Sequence, residues 1–265
     1  MAPDSEPDAL RMPDASPRDL FPPLEFLLKV EDLYASLICH AATAEAGLGG
    51  RLLYVGELDD DGRALMVAAN IAGTASLAVT SDPIAGKQAI RDGVADFLVT
   101  NLDEALRILK NEIRKREAVA VCITNAPEAT EKEMVERGVQ PDLIRNIRVA
   151  GDRDLGEVFG GKPGAVARLA PIEGESRLSW GVEQAPAQWL PRLDALAIEC
   201  FTGDEGTAAQ IARRWIRLAP RYLGRLARNV RVLRCPTAVA EAIAERMRAG
   251  AETGEIAVPV RIEFV

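Results

Sequence analysis

The chain has 265 residues, enough for one large α/β domain or two small ones, and nearly half of them are apolar. Its formal net charge of −8 argues against general nucleic-acid binding, which relies on Lys and Arg to neutralise phosphates. No apolar run approaches the roughly 18 residues of a membrane span, and a single histidine, His40, excludes a multi-histidine metal site.

Residues 1–20 are acidic and rich in proline, and they read as a disordered tail rather than a signal peptide. After Pro23 the segment "LEFLLKVEDLYASLICHAATAEAG" carries apolar residues at helical spacing and is expected to stop at Gly47. "RLLYVG" reads as a buried strand and "GRALMVAANIAG" as a helix. "TASLAVTS" follows as strand, "DPIAGKQAIRDG" as helix and "VADFLVT" as strand. "NLDEALRILKNEIRKRE" is a helix with Asn101 as its N-cap, "AVAVCIT" a strand, "APEATEKEMVERG" a helix and "PDLIRN" a short last strand. Strands alternating with helices of about 10 to 15 residues indicate βαβ units and a parallel sheet. Residues 48–146 thus read as a doubly wound, Rossmann-like α/β domain, or 21–150 with its leading helix.

Residues 151–165, rich in Gly and charge, read as a connection, with "GGKPG" at 160–164 a turn that lacks the GK[ST] ending of a phosphate loop. A smaller α/β region over 165–265 follows. In it "VARLAPIEGESRLSWGVEQ" suggests two strands about a glycine turn, and "LDALAIECF" a buried strand. A long helix is expected from about Asp204, then "VRVLRC" as strand, "PTAVAEAIAERMRAG" as helix and "IAVPVRIEFV" as a final strand. The four cysteines, Cys39, Cys122, Cys200 and Cys235, lie far apart without metal-ligand spacing, which suits reduced thiols in a cytoplasm.

The first half resembles the nucleotide-binding domain of urocanase (urocanate hydratase). "GELDDDGRAL" lies against that family's glycine-rich AGLGGMGGAQ-type turn without a gap, and "VAANIAG" matches the helix down to Gly73. The correspondence continues through "VADFLVTNLDEAL" and "MVERGVQPDLI", carried by Arg137, Gly138, Pro141 and Asp142, with Tyr34 as the match in the leading helix. It covers roughly residues 30–145. The resemblance implies tightly held NAD, used as an electrophile to add water to urocanate, and a dimer.

The chain departs from the family at nearly every cofactor contact. The run of glycines is reduced to Gly62, with Gly56 at the end of the preceding strand. The acid that ends the family's second strand corresponds to Thr80, with Asp82 two positions on. "IRV" at Ile147, Arg148 and Val149 replaces the QTS triplet, and the YIGTQG segment is absent. At 265 residues the chain is about half a urocanase, without room for the large catalytic segment. Neither Cys200 nor Cys235 inherits the family's reactive cysteine. Gly56, Gly62, Thr80 and Asp82 are therefore degenerate cofactor positions. A pyrophosphate binds where free N–H groups and a helix dipole meet close-packed glycine. Like charges about 6 Å apart at an effective dielectric of 20 repel by roughly 2 to 3 kcal/mol, so Asp59, Asp60 and Asp61 carry the wrong sign for NAD. No cofactor is expected, or NAD if the family site is retained.

The acid run Glu57, Asp59, Asp60, Asp61 has two further readings. Its carboxylates offer oxygens to Mg²⁺ or Ca²⁺, without EF-hand spacing. More commonly such a run is a turn, with Gly62 in the left-handed position and acids favouring the next helix N-terminus. From Ile211 to Arg234 there are eight arginines and no acid. Arg214, Arg217, Arg221, Arg225 and Arg228 share one helical face if the helix passes Pro220, beside the apolar stripe Trp215, Leu218, Tyr222 and Leu226. That face is a solvated surface, a two-pronged site for phosphate or carboxylate, or an interface with another subunit's acidic surface. His40 has no matched acid or nucleophile and reads as a packed or partly exposed residue rather than a catalyst. The reading is a urocanase-like protein with a lost or altered NAD site, non-catalytic or repurposed for small-molecule binding, and a homodimer. The alternatives are an NAD-dependent lyase and a structural subunit.

Overall fold

The computed structural model describes residues 24–146, 154–161, 163–168, 172–203 and 206–265, apart from the side chain of Leu226. The N-terminal tail, the Ile147–Val149 segment, Asp204 and that leucine side chain lie outside the described residues.

Two sheets organise the chain. Helix α1 (Leu24–Ile38) leads into a βα series: β1 (Leu52–Glu57), α2 (Asp60–Ala72), β2 (Ala75–Thr80), α3 (Pro83–Arg91), β3 (Phe97–Val99), α4 (Leu102–Lys115), β4 (Val119–Thr124), α5 (Pro127–Glu136), β5 (Leu143–Arg145), α6 (Leu155–Val158) and β6 (Gly164–Val166). These strands form one six-stranded sheet in the order β3-β4-β2-β1-β5-β6, and every pairing is parallel. β2 is buried along its whole length and β1 along all but Glu57, because helices cover both faces; this is why they read as unbroken apolar runs.

The helices behave as their sequences dictate. In α4 the buried residues Leu102, Ala105, Leu106 and Leu109 fall on one stripe, and Asn101 caps the helix by accepting from the Glu104 N–H at 2.9 Å. Helix α2 is buried nearly all round, from Gly62 to Ala72. Its alanines let α1, the sheet and α8 (Thr207–Leu223) approach it from three sides.

The second sheet is antiparallel, ordered β8-β7-β9, from β7 (Glu175–Val182), β8 (Val230–Pro236) and β9 (Val260–Phe264). Helices α7 (Pro186–Glu199) and α9 (Thr237–Glu252) complete this part. One continuous apolar core joins α1 and α2 to α8 and the antiparallel sheet, taking in Leu33, Leu65, Trp215 and Trp180. A second core on the other face of the parallel sheet holds Tyr54, Leu77, Leu109, Met134 and Phe159.

Three expectations are corrected. "LDALAIECF" belongs to α7, not to a strand: Trp189, Leu190, Leu193 and Ala197 are buried at helical spacing, with Pro186 at the helix start. The leading helix ends at Ile38 rather than Gly47. Residues 39–50 give up their helical propensity to dock on the end of α2, where the Leu48 N–H donates to the Ala72 carbonyl. The two strands about Gly174 are not a hairpin, since β6 joins the parallel sheet and β7 the antiparallel one.

Candidate functional site

Doubly wound sheets bind ligands beyond the C-terminal ends of their strands, where neighbouring strands send their connections to opposite faces. Here that point lies between β1 and β5. From β1 the chain passes to α2 and the core shared with α1 and α8; from β5 it passes to α6 and the core of Tyr54 and Phe159.

The β1–α2 turn is closed by its own side chains. Asp59 is the N-cap of α2, its Oδ1 accepting from the Gly62 N–H at 2.7 Å. Arg145, at the end of β5 and only 5% exposed in its side chain, reaches across the crevice. It donates from Nη1 to Asp59 Oδ1 at 2.9 Å and from Nη2 to Oδ2 at 2.7 Å. The same Nη1 also meets the Glu57 carbonyl at 3.1 Å. This two-pronged pair ties the two strands that flank the crevice. Asp61 is paired to Lys29 of α1 at 2.5 Å and to Arg168 at 2.9 Å. Burial pushes the Asp61 carboxyl up, but those hydrogen bonds outweigh it and hold it below the usual range. The acid run is therefore not a bare patch of negative charge. Arg145, Lys29 and Arg168 stand against Asp59 and Asp61, and the electrostatic repulsion expected from the sequence is largely neutralised from within. What stands at the helix N-terminus is a carboxylate already accepting the N–H that an anion would use.

Gly62 lies in the first turn of α2 and is not left-handed; that conformation belongs to Gly56, at φ 77°. Gly62 is required by space, because a Cβ there would stand 2.2 Å from the Glu57 carbonyl oxygen. Thr80 is buried at the end of β2, its hydroxyl accepting from the Asp82 N–H at 3.2 Å, and Asp82 caps α3 by accepting from the Ile84 N–H at 2.8 Å. Gly56, Gly62, Thr80 and Asp82 do line the C-terminal edge of β1 and β2, but each serves the turns that follow these strands. Glu57 shares this edge. Half-buried, its carboxyl is pushed up by burial, drawn down by hydrogen bonds from Thr80 and the Leu58 N–H, and pushed up further by Asp59 and Glu128, for a net rise.

The arginine face divides. Helix α8 does continue past Pro220, to Leu223, and a 3₁₀ turn (Gly224–Ala227) follows. Only Arg214, Arg217 and Arg221 are helical; Arg225 sits in the 3₁₀ turn and Arg228 just after it. Arg214 is not an outward group. It donates to the carbonyls of Glu45, Ile71 and Ala72 at 3.0 to 3.4 Å and so caps the C-terminal end of α2. Arg217, Arg221, Arg225 and Arg228 are exposed, with Arg217 paired to Glu45 at the surface. His40 packs on β6, its Nε2 3.3 Å from the Ala165 carbonyl. Burial pushes the Cys122 and Cys235 thiols up to about 12 and raises that of Cys200 as well.

Arg145 is the residue that sequence reasoning missed. Its signal was there: a lone arginine ending a buried apolar strand needs an acid, and the acid run is the nearest supply.

Residues 34–153, just under half of the chain, match the family model for the urocanase Rossmann-like domain. This segment is similar to the urocanase Rossmann-like domain. Its shared motifs serve the scaffold at the opposite edge of the sheet. Asp142 accepts from the Leu52 N–H at 2.8 Å where β1 begins, and Asp96 accepts from the Ala120 N–H at 2.8 Å where β4 begins.

Proposed function

We propose that this chain works without resident NAD, as a non-catalytic or repurposed small-molecule-binding protein built on the urocanase-like domain. The observation that carries this reading is the Asp59–Arg145 pair across the crevice between β1 and β5. A dinucleotide pyrophosphate needs the free N–H groups of the α2 N-terminus and close access over glycine. The residues present do not fit that group: the Gly62 N–H is taken by Asp59, Arg145 is taken by the same carboxylate, and Asp82 is spent on capping α3. Native mass spectrometry of untreated protein tests the reading. The expected spectrum carries no mass for NAD, and urocanate is not hydrated when its ultraviolet absorbance is followed. Bound NAD with urocanate turnover would overturn the reading in favour of an NAD-dependent lyase.

A second reading has its own observation. Arg217, Arg221, Arg225 and Arg228 form an exposed basic ridge on a chain of net charge −8, which favours pairing with the acidic surface of a second copy. The homodimer is proposed to form through this ridge. Replacing Arg217, Arg221 and Arg225 with Glu should shift sedimentation from dimer to monomer, and an unchanged profile counts against the ridge.

A further inference from the structure

The antiparallel sheet has two edges, and the fold treats them differently. At the β8 edge α8 closes the ladder: the Trp215 indole N–H donates to the outward Val232 carbonyl at 2.6 Å. At the β9 edge the Val265 N–H donates to the Arg177 carbonyl at 3.0 Å, which sets the phase of the ladder. With the observed register, Arg261 and Glu263 bond β7, and Val260, Ile262 and Phe264 turn their N–H and C=O groups away from it. β9 is the last strand of its sheet, and among the described residues nothing bonds those outward groups. Such an edge is a template for another strand unless lysine, proline or a bulge blunts it. Val260–Phe264 contains no lysine and no proline, and it pairs with β7 without a bulge. Its side chains alternate. Val260, Ile262 and Phe264 share the face of Val182, Trp180 and Leu178, with Phe264 still 50% exposed. Arg261 and Glu263 project from the other face, 61% and 42% exposed in their side chains, with Arg261 Nε donating to Glu263 Oε1 at 2.7 Å.

We propose that β9 pairs antiparallel with β9 of a second copy of this chain, across a two-fold axis at Ile262. The run Val-Arg-Ile-Glu-Phe matches itself in that register. Val260 stands opposite Phe264, Arg261 opposite Glu263 and Ile262 opposite itself, so apolar groups and opposite charges meet on both halves. The outward groups of Val260, Ile262 and Phe264 then fill the hydrogen-bonded positions. Arg261 and Glu263 fall in the non-hydrogen-bonded ones, where facing side chains lie closer. A slip of two residues is the smallest that keeps the hydrogen bonds in phase, and it destroys the charge match: it sets Arg261 against Arg261 in one direction and Glu263 against Glu263 in the other. The pairing would join the two antiparallel sheets into one, in the order β8-β7-β9-β9-β7-β8. It uses neither the crevice between β1 and β5 nor the arginine ridge of α8.

The test is charge exchange on the full chain, read by sedimentation equilibrium. Arg261→Glu sets acid against Glu263 of the second copy, and Glu263→Arg sets base against its Arg261. Each variant alone should associate at least about tenfold more weakly than wild type. An equimolar mixture of the two variants restores opposite charge at both contacts and should recover wild-type association. Mixing does not repair the Arg261–Glu263 contact within one chain, so recovery reports pairing between chains. Circular dichroism of each variant should match wild type, since both side chains are at the surface. A wild-type mass of one chain at about 100 µM would overturn the proposal. So would single variants that associate as wild type does, or a mixture no more associated than its components. Association abolished by Glu at Arg217, Arg221 and Arg225 but untouched by the β9 exchanges would support the ridge and overturn this inference.

Discussion

Separating the two contacts of Asp59 tests the account of the crevice directly. Asp59→Ala removes both the cap on α2 and the pair with Arg145. The cap contributes about 1 kcal/mol. The pair joins a group 5% exposed to one 42% exposed, so its loss lies between the roughly 0.5 kcal/mol of a surface pair and the 3 to 5 of a buried one. About 2 kcal/mol is the reasonable value, giving about 3 for Asp59→Ala. Asp59→Asn keeps an oxygen for the Gly62 N–H and should cost only about 2 kcal/mol, as should Arg145→Met. Urea unfolding followed by tryptophan fluorescence reads all three, against a total stability of about 5 to 15 kcal/mol for a domain. The double variant Asp59→Asn/Arg145→Met should cost less than the sum, with a coupling of about 1 to 2 kcal/mol. Additivity within about 0.3 kcal/mol would refute the claim that this pair holds the crevice shut.

Other outcomes follow from the same contacts. Glu57 has its folded-state carboxyl raised above 4.5, so it favours folding fully below that pH and loses this contribution as pH rises through the folded value. Glu57→Gln should accordingly raise the melting temperature at pH 8, with the gain shrinking to nothing below pH 4.5; a pH-independent difference would contradict this. Arg214→Met strips the end of α2 of its donor and should destabilise by about 1 to 3 kcal/mol in urea, whereas Arg225→Glu should leave stability within about 0.5 kcal/mol. Gly62→Ala drives a Cβ into the Glu57 carbonyl at 2.2 Å and should leave little soluble protein, judged by yield and circular dichroism. Among the four cysteines, exposed Cys39 should be modified first by a thiol-reactive disulfide in native protein, and Cys122 and Cys235 only after unfolding.

The parallel sheet was legible because its strands and helices carry two different apolar periods, and the helix termini announce themselves. Asn101 caps α4 as its position before an amphipathic run demands. The "LDALAIECF" segment misled because a nine-residue apolar run fits a strand or one side of a buried helix equally well, and only packing against Trp180 and α9 decides between them. The candidate site was half legible: the acid run marked the right turn, but its partners lie far along the chain. Arg145 is 86 residues from Asp59, and Arg168 is 107 from Asp61.

The sequence by itself determined the alternation of elements, the caps and the replacement of a glycine-rich turn by aspartates, because each depends on neighbours within a few residues. The tertiary structure decided what those aspartates mean. Net charge at a turn cannot be read from one strand–helix unit when the compensating cations arrive from α1, β5 and the segment after β6. The same holds for the arginines. Arg214 caps α2, Arg234 pairs with Asp32 of α1 and Arg225 faces solvent, because burial and the acceptors within reach, not spacing along the chain, fix what a guanidinium does.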